Sequence, residues 1–247
     1  MPIGISGKPF SGTFEGGGHK ITGLYIDTTE NYQGLFGYVE WDGTVKNLGV
    51  GGTVTGGSYT GSVVGESRGR VTGCYNTATV SGKNNVGGVV GSGSATNCYN
   101  EGGVSGENRV GGVVGYLGQS KRVQYCYNRG TVTATGTNAA VGGVAGGDDG
   151  TITTCYYLDT SCHRGGLAVK ATKEQFASGE VAWRLQGSEA EQVWGQRLSS
   201  GPQPYPLLTN SDKVYRVAFM VHNGYFNEVF AARYVNEGSR TVSAPTE

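Results

Sequence analysis

Most of the chain alternates short apolar runs with clusters of Gly, Asn and Ser. The runs hold four or five residues, too few for helices, and are rich in Val and Thr, so they predict β-strands. They also recur in a fixed order. Gly69-Arg-Val-Thr-Gly-Cys-Tyr-Asn76 returns as Gly93-Ser-Ala-Thr-Asn-Cys-Tyr-Asn100, Lys121-Arg-Val-Gln-Tyr-Cys-Tyr-Asn128 and Gly150-Thr-Ile-Thr-Thr-Cys-Tyr-Tyr157. A second run follows the first three: Thr79-Val-Ser-Gly82, Gly103-Val-Ser-Gly106, Thr131-Val-Thr133. The third is Val86-Gly-Gly-Val-Val-Gly91, then Val110-Gly-Gly-Val-Val-Gly115, then Val141-Gly-Gly-Val-Ala-Gly146. Looser copies stand earlier, at Gln33-Gly-Leu-Phe-Gly37 and Thr60-Gly-Ser-Val-Val-Gly65.

One unit of three such runs cannot bury a core. Stacked units can, with equivalent strands in register about 4.8 Å apart. The expected fold is therefore all-β, a parallel β-helix with three strands per coil. A β-propeller does not fit, because its blades need about 40–50 residues and longer strands. Composition then falls into place. Glycine makes up 46 of 247 residues, which suits a coil that turns several corners and needs positive φ there. No Pro lies between Pro9 and Pro202, as expected of strands that need every N–H for a ladder.

Other classes are excluded. Glycine without an every-third period or abundant Pro is not collagen. Only 15% of residues are charged and 10% are aromatic, which argues against charge-driven disorder. Zero net charge without a basic run removes the footprint of a nucleic-acid binder. No apolar run has the length of a membrane helix.

The Val-Gly-Gly-Val-Val-Gly and Cys-Tyr-Asn units resemble GLUG repeats, a glycine-rich repeat of bacterial surface proteins. Some stand beside the catalytic part of immunoglobulin-A-cleaving metallopeptidases. Pro9-Phe-Ser-Gly-Thr-Phe-Glu-Gly-Gly-Gly-His-Lys-Ile-Thr-Gly-Leu24 resembles the lead-in to such arrays, and the resemblance covers residues 9–165. It implies a right-handed β-helix and an extracellular, cell-surface or cell-wall location, but no single activity.

Both ends of an open coil need covering. Phe10, Phe14, Ile21, Leu24 and Ile26 are bulkier than the repeat's valines and predict an irregular first coil. After Asp159 the pattern changes. Thr172-Lys-Glu-Gln175 reads as a capping box, and Phe176, Val181, Ala182 and Leu185 give one apolar face interrupted by Gly179. This predicts a small helical cap. Val214-Tyr-Arg-Val-Ala-Phe219 and a run from Ala232 to Thr246 read as two strands. They resemble the opening half of a Listeria–Bacteroides repeat, a β-grasp-like module. The expected division is a β-helix over 1–165, a cap over 166–212 and a partial module over 213–247. Met1-Pro2-Ile3-Gly4 lacks the pattern of a signal peptide, and the half-module predicts a segment of a longer protein.

Candidate chemistry is sparse. Cys74, Cys98, Cys126 and Cys155 share one repeat position, so they stack as small hydrophobes in a core corner. Parallel Cα–Cβ vectors disfavour a vertical disulfide. The best candidate pair is Cys155–Cys162. Those two with His163 lack a close second pair of metal ligands. Tyr75, Tyr99, Tyr127 and Tyr156 follow the cysteines. With a bend at residues 72–73 the cysteines point in and the tyrosines out, as an exposed ladder for stacking sugars. Strict alternation from Val71 instead puts Tyr75 inside and Cys74 outside, and the plainer reading is that the tyrosines pad a corner, half-buried. Asn76, Asn100 and Asn128 form a structural column in a turn. The Thr-x-Thr runs could order water, but Gly103 breaks them. Asp148-Asp149 sit in a polar loop, the three histidines are far apart, and no His-Glu-x-x-His is present. The expectation is a monomeric, non-enzymatic spacer or adhesive stalk without cofactor or metal. Its partner is a glycan or a surface protein. The alternatives are a carbohydrate-binding β-helix using the four tyrosines, or a polysaccharide-processing enzyme domain.

Overall fold

The computed structural model describes residues 1–187, 193–198, 204–218, 220–222, 227–229, 232–239 and 241–242. The expected strand end Phe219, and Arg240 and residues 243–246 of the last expected run, lie outside them. The chain divides into two compact units, Met1–Ala171 and Thr172–Glu247.

The first unit is a parallel β-solenoid. Strands Phe36–Val39, Val64–Ser67, Val90–Ser92, Val114–Leu117 and Ala145–Asp148 form a five-stranded ladder. Thr13–Glu15, Thr44–Lys46, Arg70–Thr72, Ala95–Thr96, Arg122–Gln124 and Thr151–Thr153 form a six-stranded one. A four-stranded ladder runs through Thr60–Gly61, Asn84–Gly87, Asn108–Gly111 and Val141–Gly142. The register keeps like on like: Val64, Val90 and Val114 pair in turn, as do Val54, Val80, Val104 and Val132. These valines are buried in the core with Phe36, Leu48 and the cysteines.

The three expected runs are present in each coil, but two of them bend, so a coil carries five short strands. The Cys-Tyr-Asn run breaks between Arg70–Thr72 and Tyr75–Asn76, and the glycine run breaks between Asn84–Gly87 and Val90–Ser92. The remaining ten-stranded sheet forks. Gly49–Thr55 is one strand, paired with both Tyr75–Asn76 and Thr79–Ser81 of the next coil. Asn76 stands where the earlier coil has Val50. Its side chain both accepts from Ala78 N and donates to Ala78 O at 2.8 Å. That local bonding turns the chain and splits the strand.

The glycine run has a steric cause. Two of its arms lie backbone to backbone. A Cβ on Gly87 would come within van der Waals contact of Val90 O and Gly115 N, and one on Gly111 would meet Val114 O and Gly146 N. Neither arm has room for a side chain on this face.

The first coil is irregular, as expected. Phe10 and Phe14 pack on Phe36 with ring centroids 5.0 and 5.3 Å apart. Lys20–Asp27 pairs with Gly49–Thr55 across a bulge between Ile21 and Leu24. At the other end the ladder extends past the expected boundary at residue 165. Val169–Ala171 pairs with Tyr156–Leu158, and Gly143 N donates to Gly165 O.

In the second unit, Thr172 caps helix α1 (Lys173–Ala177) with the expected box: Thr172 Oγ1 accepts from Gln175 N, and Thr172 N donates to Gln175 Oε1. Gly179, at φ 91°, separates α1 from α2 (Glu180–Gln186). Phe176, Val181, Ala182 and Leu185 are buried with Trp194. Val214–Val217 and Arg233–Asn236 pair antiparallel. Asn236 donates to Gln196 O at 2.7 Å and accepts from Leu198 N at 2.8 Å. These bonds join the tail strands to the cap segment in a single unit, where the sequence suggested two. Among the described residues, no helix is long and apolar enough to cross a membrane.

Candidate functional site

The site predicted from sequence begins at a kink. Asn47, Gly73, Asn97, Tyr125 and Thr154 occupy one position in successive coils, all with φ between 50 and 63°. The ladder runs through the kink, since Gly73 N donates to Thr96 O and Asn97 N to Gln124 O, both at 3.0 Å. The kink turns the next residue, the cysteine, inward. Cys74, Cys98, Cys126 and Cys155 are buried, and each thiol donates to the carbonyl two residues back, at 3.1–3.4 Å. Burial pushes the Cys74 and Cys126 thiols well above the ordinary range. All five cysteines are free. The candidate disulfide partner Cys162 donates instead to Arg164 O at 2.8 Å.

The tyrosine ladder forms, but not as an exposed one. Tyr75 and Tyr99 stack with centroids 4.9 Å apart and planes 2° from parallel, and Tyr99 and Tyr127 repeat this at 5.1 Å. Tyr99, Tyr127 and Tyr156 are 5%, 0% and 7% exposed, and Tyr75 is half-buried. The expected outward platform is corrected here: the bend at residue 73 does turn the cysteine inward, yet the tyrosine is covered too. The Tyr75 ring lies over Gly49 of the preceding coil, where a Cβ would collide with it, and the later rings stack above. Burial raises the Tyr75 and Tyr99 hydroxyls above their usual range. The asparagine column behaves as expected. Asn76 donates to Asn100 Oδ1 and Asn100 to Asn128 Oδ1, each at 2.7 Å.

The other candidates do not converge. Asp149 is exposed and accepts from Tyr116 Oη at 2.9 Å, while the Asp148 side chain lies outside the described residues. His19 and His163 are exposed and belong to different coils. The His222 side chain is outside the described residues. Among the described residues, no three His, Cys, Asp or Glu side chains gather to hold a metal.

Two features escaped the repeat pattern. The first is an outward column on the five-stranded ladder, where Tyr38, Glu66, Ser92 and Tyr116 are register partners. Arg109 lies 4.6 Å over the Tyr116 ring and Arg68 5.5 Å over Tyr38. Lys121 donates to Arg68 O at 3.1 Å and sits 4.7 Å over Trp41. Burial pushes the Glu66 carboxyl up, against the opposing pull of Arg68 and Lys121.

The second is a cleft of about 660 Å³ at the first coil, between the N-terminal residues and the turn after Lys20–Asp27. Ile5, Tyr25, Asp27, Asn31, Tyr32 and Gln33 stand in its walls. Tyr32 stacks on Tyr59 at 4.9 Å and 12° and meets Tyr38 edge-on at 5.8 Å. The signal for this pair was present: Tyr32 and Tyr59 each precede one of the looser glycine runs.

No family model matches the chain. Over 87 residues, 34% of its length, it is 39% identical to Halomucin of Haloquadratum walsbyi, covering 1% of that protein. Over 73 residues, 28% of its length, it is 40% identical to a "Putative Gly-rich membrane protein" of Evansella cellulosilytica, covering 8% of it. The chain thus spans less than a tenth of either relative. The crystal structure of a "putative immunoglobulin A1 protease" from Bacteroides ovatus superposes with a TM-score of 0.60 at 19% identity. The match covers 78% of this chain and 76% of that one. That likeness is one of fold: the chain shares the parallel β-solenoid architecture.

Proposed function

We propose that this chain is a non-enzymatic structural segment of a microbial cell-surface protein, a rigid spacer or adhesive stalk built from GLUG-type repeats. The observation that carries the reading is where the recurring residues go. Cysteine, tyrosine and asparagine stack on their own kind and are buried in the coil, so the repeat's most distinctive side chains serve its own cohesion. The local likeness to a protein named for the membrane supports a place at the cell surface. The tail's resemblance to a Listeria–Bacteroides repeat fits a string of modules.

Antibodies against the chain are expected to label intact, unpermeabilised cells of the producing organism. The purified chain is expected to leave a panel of polysaccharides and immunoglobulin A uncleaved. Turnover that disappears in Asp149→Asn, with the fold unchanged, overturns the non-enzymatic reading.

A further inference from the structure

The stacking of the solenoid leaves the first-coil cleft without a task. Its volume of about 660 Å³ lies in the range of small-molecule sites, which are mostly apolar with a few fixed polar groups. Pro2, Ile5 and Ile26 supply apolar wall. The ionisable groups in the lining are the carboxylates of Asp27 and Glu30, two tyrosines and the Met1 amino group, so carboxylates outnumber the single cation. An anionic ligand meets like charge there.

Tyr32 is held before any ligand arrives. Tyr59 covers one face of its ring and Tyr38 abuts it edge-on, and Tyr32 is one of the residues that line the cleft. Tyr25, 74% exposed, stands at the rim. The planar amides are fixed as well. Gln33, only 7% exposed, donates through Nε2 to Asn31 O at 2.9 Å. Asn31 Oδ1 accepts from Ser58 N at 2.8 Å. Preset aromatic faces beside oriented amides and a carboxylate match a ring that is apolar on its C–H face and hydroxylated at its edge. Pre-organisation lowers the ordering cost of binding.

We propose that the cleft binds one or two rings of a neutral saccharide, with a pyranose face continuing the Tyr59–Tyr32 stack by one step. The site is independent of the spacer reading and of the buried tyrosine ladder. It adds a recognition point at the solenoid's first coil.

The test titrates the whole chain by calorimetry with maltotriose, cellotriose, xylotriose and triacetylchitotriose. Trigalacturonate and a leucine-rich nonapeptide serve as the charged and apolar controls. Tyr25→Ala removes an exposed ring. Tyr32→Asn removes the fixed one with a residue that tolerates its φ of 61°. The expected result is binding of at least one neutral sugar with Kd below about 1 mM, weakened tenfold or more by Tyr25→Ala with circular dichroism unchanged. Tyr32→Asn is expected to weaken it as much or more. The proposal is overturned if no neutral sugar binds at 10 mM-scale concentrations, roughly the weakest affinity of interest. It is also overturned if trigalacturonate or the peptide binds as well as the sugars. Unchanged affinity in Tyr25→Ala overturns it too.

Discussion

At the scale of single residues, the coil is held by side chains that bond to their own equivalents. Asn100 is the centre of such a set. It accepts from Asn76, donates to Asn128 and Gly102 O, and accepts from Gly102 N. Asn100→Ala leaves one buried N–H of Asn76 without a partner and Asn128 Oδ1 with Gly130 N alone, and an unsatisfied buried donor costs about 1–3 kcal/mol. Chemical denaturation is expected to show a loss of about 3 kcal/mol. Glu66 behaves in the opposite sense. Its carboxyl is raised in the folded state, chiefly by burial, so over a window above its ordinary value the folded chain holds a proton that the unfolded chain has released. Stability therefore falls as pH rises through that window. Glu66→Gln removes the penalty. The stability difference between variant and wild type is expected to widen from about pH 4 toward neutrality, in melts recorded across that range. Arg68, Lys121, Tyr38 and Glu40 all act on this carboxyl, so these melts need constant ionic strength.

At the scale of elements, glycine has two roles that a substitution pair separates. Gly111 faces Val114 O and Gly146 N across a gap with no room for a methyl group. Gly111→Ala is expected to cost about 3 kcal/mol or more. Gly118 has only the Tyr116 ring near its missing Cβ, at 3.5 Å, so Gly118→Ala is expected to stay within about 0.5 kcal/mol of wild type. Thermal melts of both variants check the contrast. Periodicity made the strands, the inward cysteines and the asparagine column legible, and Thr172 with Gln175 announced the helix start. The kinks were harder to read because unlike residues carry them: Asn47, Gly73, Asn97, Tyr125 and Thr154 share one left-handed conformation. A half-buried place for the tyrosines in a corner was legible, but the extent of their burial was not. It depends on Gly49 leaving space in the neighbouring coil, a relation between rungs that no single repeat displays. The first-coil cleft was missed for a similar reason, since Tyr25 from the irregular first coil and Tyr32 and Gln33 at the start of a looser glycine run meet the N-terminal residues only after folding.

At the scale of the whole molecule, cohesion in the first unit runs from coil to coil. Each strand's partners lie one turn away in sequence, as Val64, Val90 and Val114 show. Every ladder bond therefore points along the solenoid axis, and a tensile load on the ends meets these bonds one rung at a time instead of all together. Opening one rung releases the 26 residues between Val64 and Val90, roughly 90 Å of contour length. Stretching the chain in an optical trap is expected to give a staircase of roughly 90 Å steps, where a single large rupture would show that the coils fail as a block. Such a ladder yields under force in instalments, dissipating a sudden pull by paying out slack while the unopened coils remain closed.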